Sequence, residues 1–512
     1  MNRALSITPL LLLAVVVACQ DRSVAPTAAR PSFAAAGPAA CPAHATVAVS
    51  DEPSLLSAIA SAHPNDTIAL NGMIELTHAA AFVTTDGLTL TCASPGSGLQ
   101  ARANAGIDRL VLVFSKHVRV EHLALDGTNV TVSAFLGTND IGGSADHVSF
   151  VGNSVKCPAA LASSCVFIAA PVYGGMAGVV VTDNDIQSDG TQAALQLQGL
   201  DTALVTRNRI TALSPSTDGI RSNGSLHLTV TDNIVSGPWL AAIDFFDQND
   251  SSDIERNELS PGGGDGMDLV GSIRLRFVSN TVQCGDVCFF GDGTQQVVVA
   301  NNQFQSTGST TGIHLQDGTD RDTVAGNTVT TSVPSFAAAL GGIRVRDGVN
   351  NVVVGNTLQG PWANSIAVTD EFNLDVERNS LQGAGGFGIG ITTGGSFIPI
   401  SITGSLFRDN RVTGAAIAGI SARLACNNSF VGNDLSGNAG NVGVIFNETT
   451  GANTYAGNAM VVVDNGAFDC NGDGVNDPNI ISGPGMARHG LHVGGALSTT
   501  EPQRKVHGIL IQ

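Results

Sequence analysis

The chain has 512 residues, of which 61 are glycine and 13% are charged, and its formal net charge is −19. Glycine is well above its usual share of about 7% and charge is near half of the usual share of about 25%, which excludes a coiled coil and a charge-rich disordered chain. An acidic chain of this size is also a poor partner for nucleic acid, because affinity for phosphates comes largely from Lys and Arg.

The chain begins with a segment typical of an export signal. An apolar run from Leu10 to Val17 follows Arg3 and is too short to cross a bilayer as a helix. The tetrad VVAC, which ends at Cys19, resembles the box of bacterial lipoproteins and implies removal of residues 1–18 and lipidation of the cysteine. The alternative is an ordinary secretory signal with an incidental cysteine. We therefore expect an exported protein of the bacterial cell envelope, periplasmic or on the cell surface, that meets the membrane through its lipid alone.

Residues 19–44 are rich in Ala, Pro, Ser and Thr and predict a flexible tether. Eight cysteines remain beside Cys19, and an even number in an exported protein predicts disulfides. Two pairs that are close in sequence predict disulfides that close local loops. The other four cysteines predict disulfides that hold the two ends of the fold. The close pairs are Cys157 with Cys165 and Cys284 with Cys288, and the other four are Cys41, Cys92, Cys426 and Cys470.

The first predicted element is a short amphipathic helix from Ser54 to Ala62, with Leu55, Leu56 and Ile59 on one side. Strand-like segments follow it, each only a few residues long and bounded by Gly, Asn and Asp.

One short pattern then recurs thirteen times: an apolar residue, two variable residues, Asn, one variable residue and an apolar residue. Its spacing of 22 to 31 residues is typical of a solenoid, and the short alternation inside each repeat predicts strands. Asparagine suits the corner between two strands because it tolerates left-handed backbone angles, and stacked amides can bond to one another. The predicted ladder consists of Asn153, Asn184, Asn208, Asn233, Asn257, Asn280, Asn302, Asn327, Asn356, Asn379, Asn410, Asn433 and Asn458.

With this ladder, residues 45–480 resemble the right-handed parallel β-helix family of pectate lyases and polygalacturonases. The resemblance implies an all-β, single-stranded parallel β-helix of about fifteen coils, with the helix covering the first coil and residues 481–512 forming a tail or cap. It also implies a polysaccharide ligand on the outer face of the first strand of each coil. The motifs NTD, GHG and RIK of polygalacturonases, DPH of alginate epimerases and WIDH of pectate lyases are absent.

Alternation along each first strand points an Ile-like residue inward and the next residue outward. The resulting outward column is Gln196, Arg221, Asp244, Asp268, Phe289, His314, Arg344, Ala367 and Gly390. Neighbouring Asp244 and Asp268 would raise one carboxyl pKa, which predicts an acid beside a base or nucleophile. We further predict a proton carrier in His314, substrate contacts by Arg221 and Arg344, and substrate binding by Gln196 and Phe289. The alternative is a surface ion pair between Arg and Asp.

Trp239 and Trp362 each follow a corner asparagine by six residues, in a G-P-W loop. They predict sugar-stacking platforms at the rim of the groove, or else rings that cover a coil edge.

A calcium-like loop precedes the C-terminal tail. Asp469, Asn471, Asp473 and Asp477 present oxygens at the D-x-N-x-D-G spacing, which resembles the calcium loops of EF-hands and thrombospondin-type repeats. Ile480 stands where the twelfth-position Glu is usual, so the alternative is a polar turn that closes the last coil. Calcium is the one cofactor that the sequence predicts.

Two functions remain open at this point. One is a cell-envelope lipoprotein that binds an extended polysaccharide or displays a stable surface rod, and the missing enzyme motifs favour it. The other is a polysaccharide-active enzyme, a lyase, glycoside hydrolase or carbohydrate esterase, with its groove on the first strands of the central coils.

Overall fold

The computed structural model describes residues 41, 44–139, 144–158, 161–171, 175–190, 192–308, 310–335, 341–392, 402–458 and 461–482. All of these belong to one compact unit, Pro38–Gln512. The predicted signal peptide, Cys19, nearly all of the tether and all but the first two residues of the tail lie outside the described residues.

Every coil contributes short strands that pair in parallel with the strands of the coils before and after it. The first sheet, with sixteen described strands, consists of Ala81–Val83, Arg109–Val113, Ser133–Thr138, Val166–Ala169, Ala193–Gln198, Ser216–Asn223, Trp239–Phe246, Asp265–Val270, Phe289–Asp292, Ile313–Gln316, Gly341–Arg346, Asn364–Thr369, Phe387–Thr392, Ala418–Ala422, Val442–Phe446 and Val461–Asp464. The second sheet consists of Val47–Val49, Thr67–Leu70, Thr89–Cys92, Arg119–Glu121, Ser149–Val151, Met176–Thr182, Leu200–Thr206, Leu226–Thr231, Asp253–Glu255, Arg276–Val278, Val298–Ala300, Thr323–Ala325, Val352–Val354, Asp375–Glu377, Leu406–Arg408, Ser429–Asp434, Thr454–Asn458 and Ile480–Ser482. The third sheet consists of Met73–Leu76, Gly98–Ala101, Ala124–Asp126, Ser154–Cys157, Asp185–Asp189, Arg209–Ser214, Ile234–Ser236, Glu258–Ser260, Thr281–Cys284, Gln303–Ser306, Thr328–Thr331, Thr357–Gln359, Ser380–Gln382 and Arg411–Thr413. A small fourth sheet consists of Glu371–Phe372, Ile402–Thr403, Ala425–Cys426 and Thr450–Gly451.

The predicted all-β parallel solenoid is confirmed, with slightly more coils than the fifteen expected. Its core is continuous, because apolar side chains at equivalent positions stack from coil to coil. Phe407 and Phe430 show this packing, with parallel rings whose centroids are 4.8 Å apart.

An α-helix, Glu52–Ser61, follows the strand Val47–Val49, and a 3-10 turn spans Ala439–Asn441. Asp51 begins the α-helix by accepting a hydrogen bond from the Ser54 N–H at 2.8 Å. The helix packs on the strands Val47–Val49 and Ala81–Val83 and buries Leu55 and Ile59. It thereby covers an end of the solenoid that would otherwise expose the core.

The asparagine ladder is confirmed for twelve of the thirteen residues, from Asn153 to Asn433, all at most 2% exposed. Each amide from Asn153 to Asn410 donates to the Oδ1 atom of the next asparagine over 2.9 to 3.2 Å. The thirteenth stays a prediction, because the side chain of Asn458 lies outside the described residues; its strand pairs Asn458 with Asp434 after a register shift.

The left-handed backbone angle of the corner falls one residue before the one expected. Each ladder asparagine follows a residue whose φ lies between 52° and 67°, such as Asp183, Arg207 or Gly355. The asparagines themselves are needed for their buried amides, and the preceding residue, which is partly or fully exposed, makes the turn.

A second, shorter ladder lies at the corner between the fourth and second sheets. The Asn428 amide donates to Asn453 at 3.0 Å, and the Asn453 amide donates to Asn479 at 2.9 Å. Each of the three is followed two residues later by an apolar residue, as in the first ladder, but Asn453 and Asn479 lack the apolar residue three positions before, so the repeat pattern did not predict this ladder.

The predicted disulfides are confirmed. Two of the disulfides close local loops, and the other two crosslink the first and the last coils. The pairs are Cys157–Cys165, Cys284–Cys288, Cys41–Cys92 and Cys426–Cys470.

A buried aspartate stands where the next coil carries asparagine. Asp322, fully buried, aligns with Asn351 and accepts from the Val297 N–H at 2.8 Å. Burial raises the pKa of Asp322 to about 6.

Asp322→Asn should therefore stabilise the protein by about 2 kcal/mol at pH 8 and change little at pH 4. Because the pKa of Asp322 is higher in the folded state, its protonation stabilises the fold at a pH below the pKa of the unfolded chain. This stabilisation is lost as the pH rises through about 6. Thermal unfolding at both pH values measures it. Asp253→Asn, at an exposed carboxylate that pairs with Arg276, is the control. Equal effects of Asp322→Asn at both pH values would contradict the expectation.

Candidate functional site

The strand register of the first sheet aligns most of the predicted outward residues in one column. Successive partners in this column are Phe82, Leu112, Leu136, Phe167, Gln196, Arg221, Asp244, Asp268, Phe290, His314, Arg344, Ala367 and Gly390. The column is apolar over the early coils and charged over the central ones.

Phe289 is the residue that the alternation pattern placed wrongly. It pairs with Met267 and Ile313, points into the core and packs on Phe277 with a centroid distance of 5.3 Å. Phe290 takes the outward position, because two consecutive phenylalanines fit the alternation in either register and only the strand pairing decides between them.

Four aspartates and one arginine form the centre of the site, which we call the aspartate cluster: Asp218, Asp244, Asp265, Asp268 and Arg221. The Arg221 guanidinium forms an ion pair with Asp218, and its Nε atom lies 3.6 Å from Asp244. The Phe246 ring lies 5.6 Å from the guanidinium carbon. Asp265 accepts a hydrogen bond from the Val287 N–H at 2.8 Å.

Asp218 and Asp265 were missed because strict alternation points them inward. Each is followed by a glycine, Gly219 or Gly266, and then by an inward residue. A Cβ on either glycine would lie 2.3 or 2.2 Å from a valine Cγ1 of the third sheet. The glycines thus occupy the inward positions, and the aspartate before each joins the outer face. The recurring pair of glycine and a large apolar residue was the available signal.

The aspartate cluster is unusually buried for the outer face of a sheet. The side chains of Asp218 and Asp244 are 2% and 16% exposed. Burial raises the pKa of Asp218 to about 7, against the attraction of Arg221 and with a further increase from Asp268. Burial and the charge of Asp218 raise the pKa of Asp244 to about 8. Near neutral pH, Asp244 therefore holds a proton that it can donate.

His314 and Arg344 lie further along the column, beyond Phe290, whose ring meets the His314 ring edge-on at 5.4 Å. His314 is two coils from Asp268, or about 10 Å. The structure thus brings Arg221, Asp244 and Asp268 together and leaves His314 and Arg344 as a separate pair.

The structure gives Gln196 a hydrogen bond and buries both tryptophans. The Gln196 amide oxygen accepts from the Ser164 hydroxyl at 2.6 Å.

Trp239 is 2% exposed and Trp362 is fully buried. The prediction of sugar-stacking platforms is therefore wrong, because both G-P-W loops turn the ring over the core at the entry to a strand of the first sheet.

The calcium-like loop is closed by its own backbone. Asp469 accepts from the N–H groups of Gly472 and Gly474, both at 2.7 Å, and Asp477 accepts from Cys470 at 2.9 Å. Within the described part of the chain, no three His, Cys, Asp or Glu side chains lie where they could share a metal ion. Calcium binding gains no support from this geometry and stays a prediction from the spacing.

These features define a class of protein. The family model of the right handed beta helix region matches residues 172–329 and 287–460, together more than half of the chain. The chain therefore belongs to the right-handed β-helix proteins. No curated protein matches its sequence. None of the described helices is long and apolar enough to cross a membrane.

Several solved structures are similar at low identity. The Dettilon tailspike protein is 16% identical with a TM-score of 0.45, over 59% of this chain and 61% of the tailspike chain. The Azotobacter vinelandii mannuronan C-5 epimerase A-module is 15% identical with a TM-score of 0.36, over 71% of this chain and 91% of the module. The DFA-IIIase from Arthrobacter chlorophenolicus is 12% identical with a TM-score of 0.35, over 84% of this chain and 92% of the DFA-IIIase chain. The fold assignment itself rests on the family match and the strand pairing.

Proposed function

We propose that this protein binds an extended neutral polysaccharide along the outer face of the first sheet and hydrolyses it at the aspartate cluster. The observation that carries the proposal is the burial of Asp218 and Asp244 around Arg221 on an outer face. Burying charged groups lowers stability unless their charges are compensated, and charged groups on the outer face of a sheet can remain in solvent. Such clusters are typical of acid–base sites.

Asp244 and Asp268 supply the two roles that hydrolysis of a glycosidic bond needs. Asp244 gives its proton to the glycosidic oxygen as the bond between that oxygen and the anomeric carbon breaks. Asp268 lies one coil away, at about 4.8 Å between backbones, and attacks the anomeric carbon as the nucleophile of a retaining enzyme. In the second step Asp244 takes a proton from a water molecule, whose oxygen displaces Asp268 from the anomeric carbon. Arg221 is held by Asp218 and Asp244 and acts as a positioning residue.

The charge of the cluster favours a neutral substrate. The cluster holds four carboxyl groups and one guanidinium, and Arg221 is already paired with Asp218 and Asp244, so the cluster offers a uronate carboxylate no further cation. A lyase acting on uronic polymers needs cations beside that carboxylate, from Arg, Lys or a metal ion.

The test is a depolymerisation screen with the purified protein. Soluble glucomannan, arabinoxylan, mixed-linkage β-glucan and dextran are compared with polygalacturonate and alginate. We expect new reducing ends from a neutral polymer and no unsaturated uronate product. Asp244→Asn and Asp268→Asn should each lower kcat by about 10²–10⁴-fold while binding is retained. Asp253→Asn, at an exposed ion pair with Arg276 on the second sheet, is the matched control. Unchanged cleavage by Asp268→Asn would contradict the role of Asp268 as the nucleophile.

The second candidate function is a binding-only surface rod. The absence of the enzyme motifs of related β-helices favours it, and retention of a polymer without any cleavage would establish it.

We further propose that the protein is exported, since four disulfides are typical of exported proteins. Anchoring through a lipid on Cys19 predicts that Cys19→Ser moves the protein from the membrane fraction to the soluble fraction.

A further inference from the structure

A cavity of about 450 Å³ lies on the outer face of the first sheet, N-terminal to the aspartate cluster. Its floor is formed by the half-buried side chains of Leu112, Leu136 and Phe167, which come from three consecutive coils. We call this cavity the apolar cleft. Apolar side chains left accessible in a concave surface are typical of binding sites.

The apolar cleft continues directly into the aspartate cluster. Phe167 pairs in register with Gln196, Gln196 with Arg221, and Arg221 with Asp244. With about 4.8 Å between coils, Phe167 lies about 14 Å from Asp244 along the solenoid axis. One extended chain can therefore lie over the cleft and the cluster at the same time.

The walls of the cleft carry polar groups suited to hydroxyls. Arg109, Thr138 and Gln198 line it beside the apolar floor. The Nε atom of Arg109 is buried, and no described group accepts a hydrogen bond from it. A buried guanidinium donor without an acceptor is costly in a protein alone, and a ligand hydroxyl would satisfy it.

We propose that the apolar cleft binds sugar rings of the same neutral polysaccharide that is cleaved at the aspartate cluster. A sugar ring has an apolar C–H face that packs on Phe167 and Leu136, and hydroxyls at its edge that reach Arg109 and Gln198. The cleft then fixes the position of the polymer, so that the bond to be broken lies over Asp244 and Asp268. This inference rests on the proposed function for the identity of the ligand.

The experiment is affinity electrophoresis of the full chain in gels that contain glucomannan, arabinoxylan, mixed-linkage β-glucan or dextran. Phe167→Ala should weaken binding of the retained polymer by roughly tenfold, and Leu136→Ala should weaken it in the same gel. Leu204→Ala is the matched control for Leu136→Ala, because Leu204 lies on the second sheet, away from the cleft, and is 39% exposed. An unchanged melting temperature of each variant excludes unfolding as the cause.

The outcomes separate this inference from the proposed function. If Phe167→Ala and Leu136→Ala both bind like the wild type, or if no neutral polymer retards the wild type, the cleft is not a sugar site. If Phe167→Ala weakens binding while no polymer is cleaved, the cleft stands and the proposed hydrolysis fails. If Asp244→Asn stops cleavage and Phe167→Ala changes nothing, the hydrolysis stands and this inference is overturned.

Discussion

Arg221→Gln is expected to lower the free energy of unfolding by about 3 kcal/mol at pH 9 and by about 1 kcal/mol at pH 5. Arg221 is the cation inside the aspartate cluster, in contact with Asp218 and Asp244. The pKa values of these two groups are raised to about 7 and about 8. Both carboxyls therefore stabilise the folded state when protonated and lose this contribution as the pH rises through those values. Arg221 lowers the pKa of both carboxyls, so removing it raises both values further. At pH 9 the variant loses the ion pairs that compensate the ionised carboxylates, whereas at pH 5 both carboxyls are neutral with or without Arg221.

Chemical denaturation at the two pH values measures this difference. The double variant Arg221→Gln with Asp218→Asn should regain most of the stability at pH 9, because the uncompensated charge at position 218 is gone. Arg276→Gln is the control, since its ion pair with Asp253 is exposed and contributes little. An equal loss at both pH values, or no recovery in the double variant, would contradict the electrostatic explanation.

Asn302→Ala should cost about 2–4 kcal/mol, because it removes a central member of a fully buried ladder. The Asn302 amide donates to the Phe277 carbonyl at 2.8 Å and to Asn327 at 2.9 Å. Its Oδ1 atom accepts from the Asn280 N–H at 2.8 Å and from the Asn280 amide at 3.2 Å. In the alanine variant the Phe277 carbonyl and the Asn280 N–H lose these partners at a fully buried place, while the Asn280 amide keeps its bond to the Ile254 carbonyl.

Thermal and denaturant unfolding of Asn302→Ala would show the loss directly. Asn301→Gly is the matched control, since Asn301 is the exposed residue before it, with a φ of 56° that glycine adopts freely. We expect the control to unfold close to the wild type. A melting temperature of Asn302→Ala equal to that of the wild type would mean that the ladder contributes nothing to stability.

The repeat carried most of the fold information because a solenoid forms the same local structure many times. The spacing of Asn153 to Asn433 revealed the parallel coils without any long-range contact being known. The register shift that pairs Asn458 with Asp434 was not foreseen, because it depends on pairing with the previous strand and leaves no trace in the local sequence. The three asparagines of the second ladder were too few to form a recognisable repeat.

The site was predicted as far as simple alternation holds. Alternation aligned Arg221, Asp244 and Asp268, and failed where the strand departs from it, at Gly219 and Gly266. Whether a tryptophan faces solvent or the core was also beyond the local pattern, because this depends on how the loop packs over its neighbours.

The dependence of kcat/KM on pH, for hydrolysis of the neutral polymer that the screen identifies, is the measurement that tests the function of the aspartate cluster most directly. If Asp244 is the acid, kcat/KM should fall as the pH rises through about 8, where its carboxyl loses the proton. Asp244→Asn should lose this alkaline limb together with most of the activity. Wild-type activity that stays constant up to about pH 10, or an Asp244→Asn variant with the wild-type profile, would contradict the assignment of Asp244 as the proton donor.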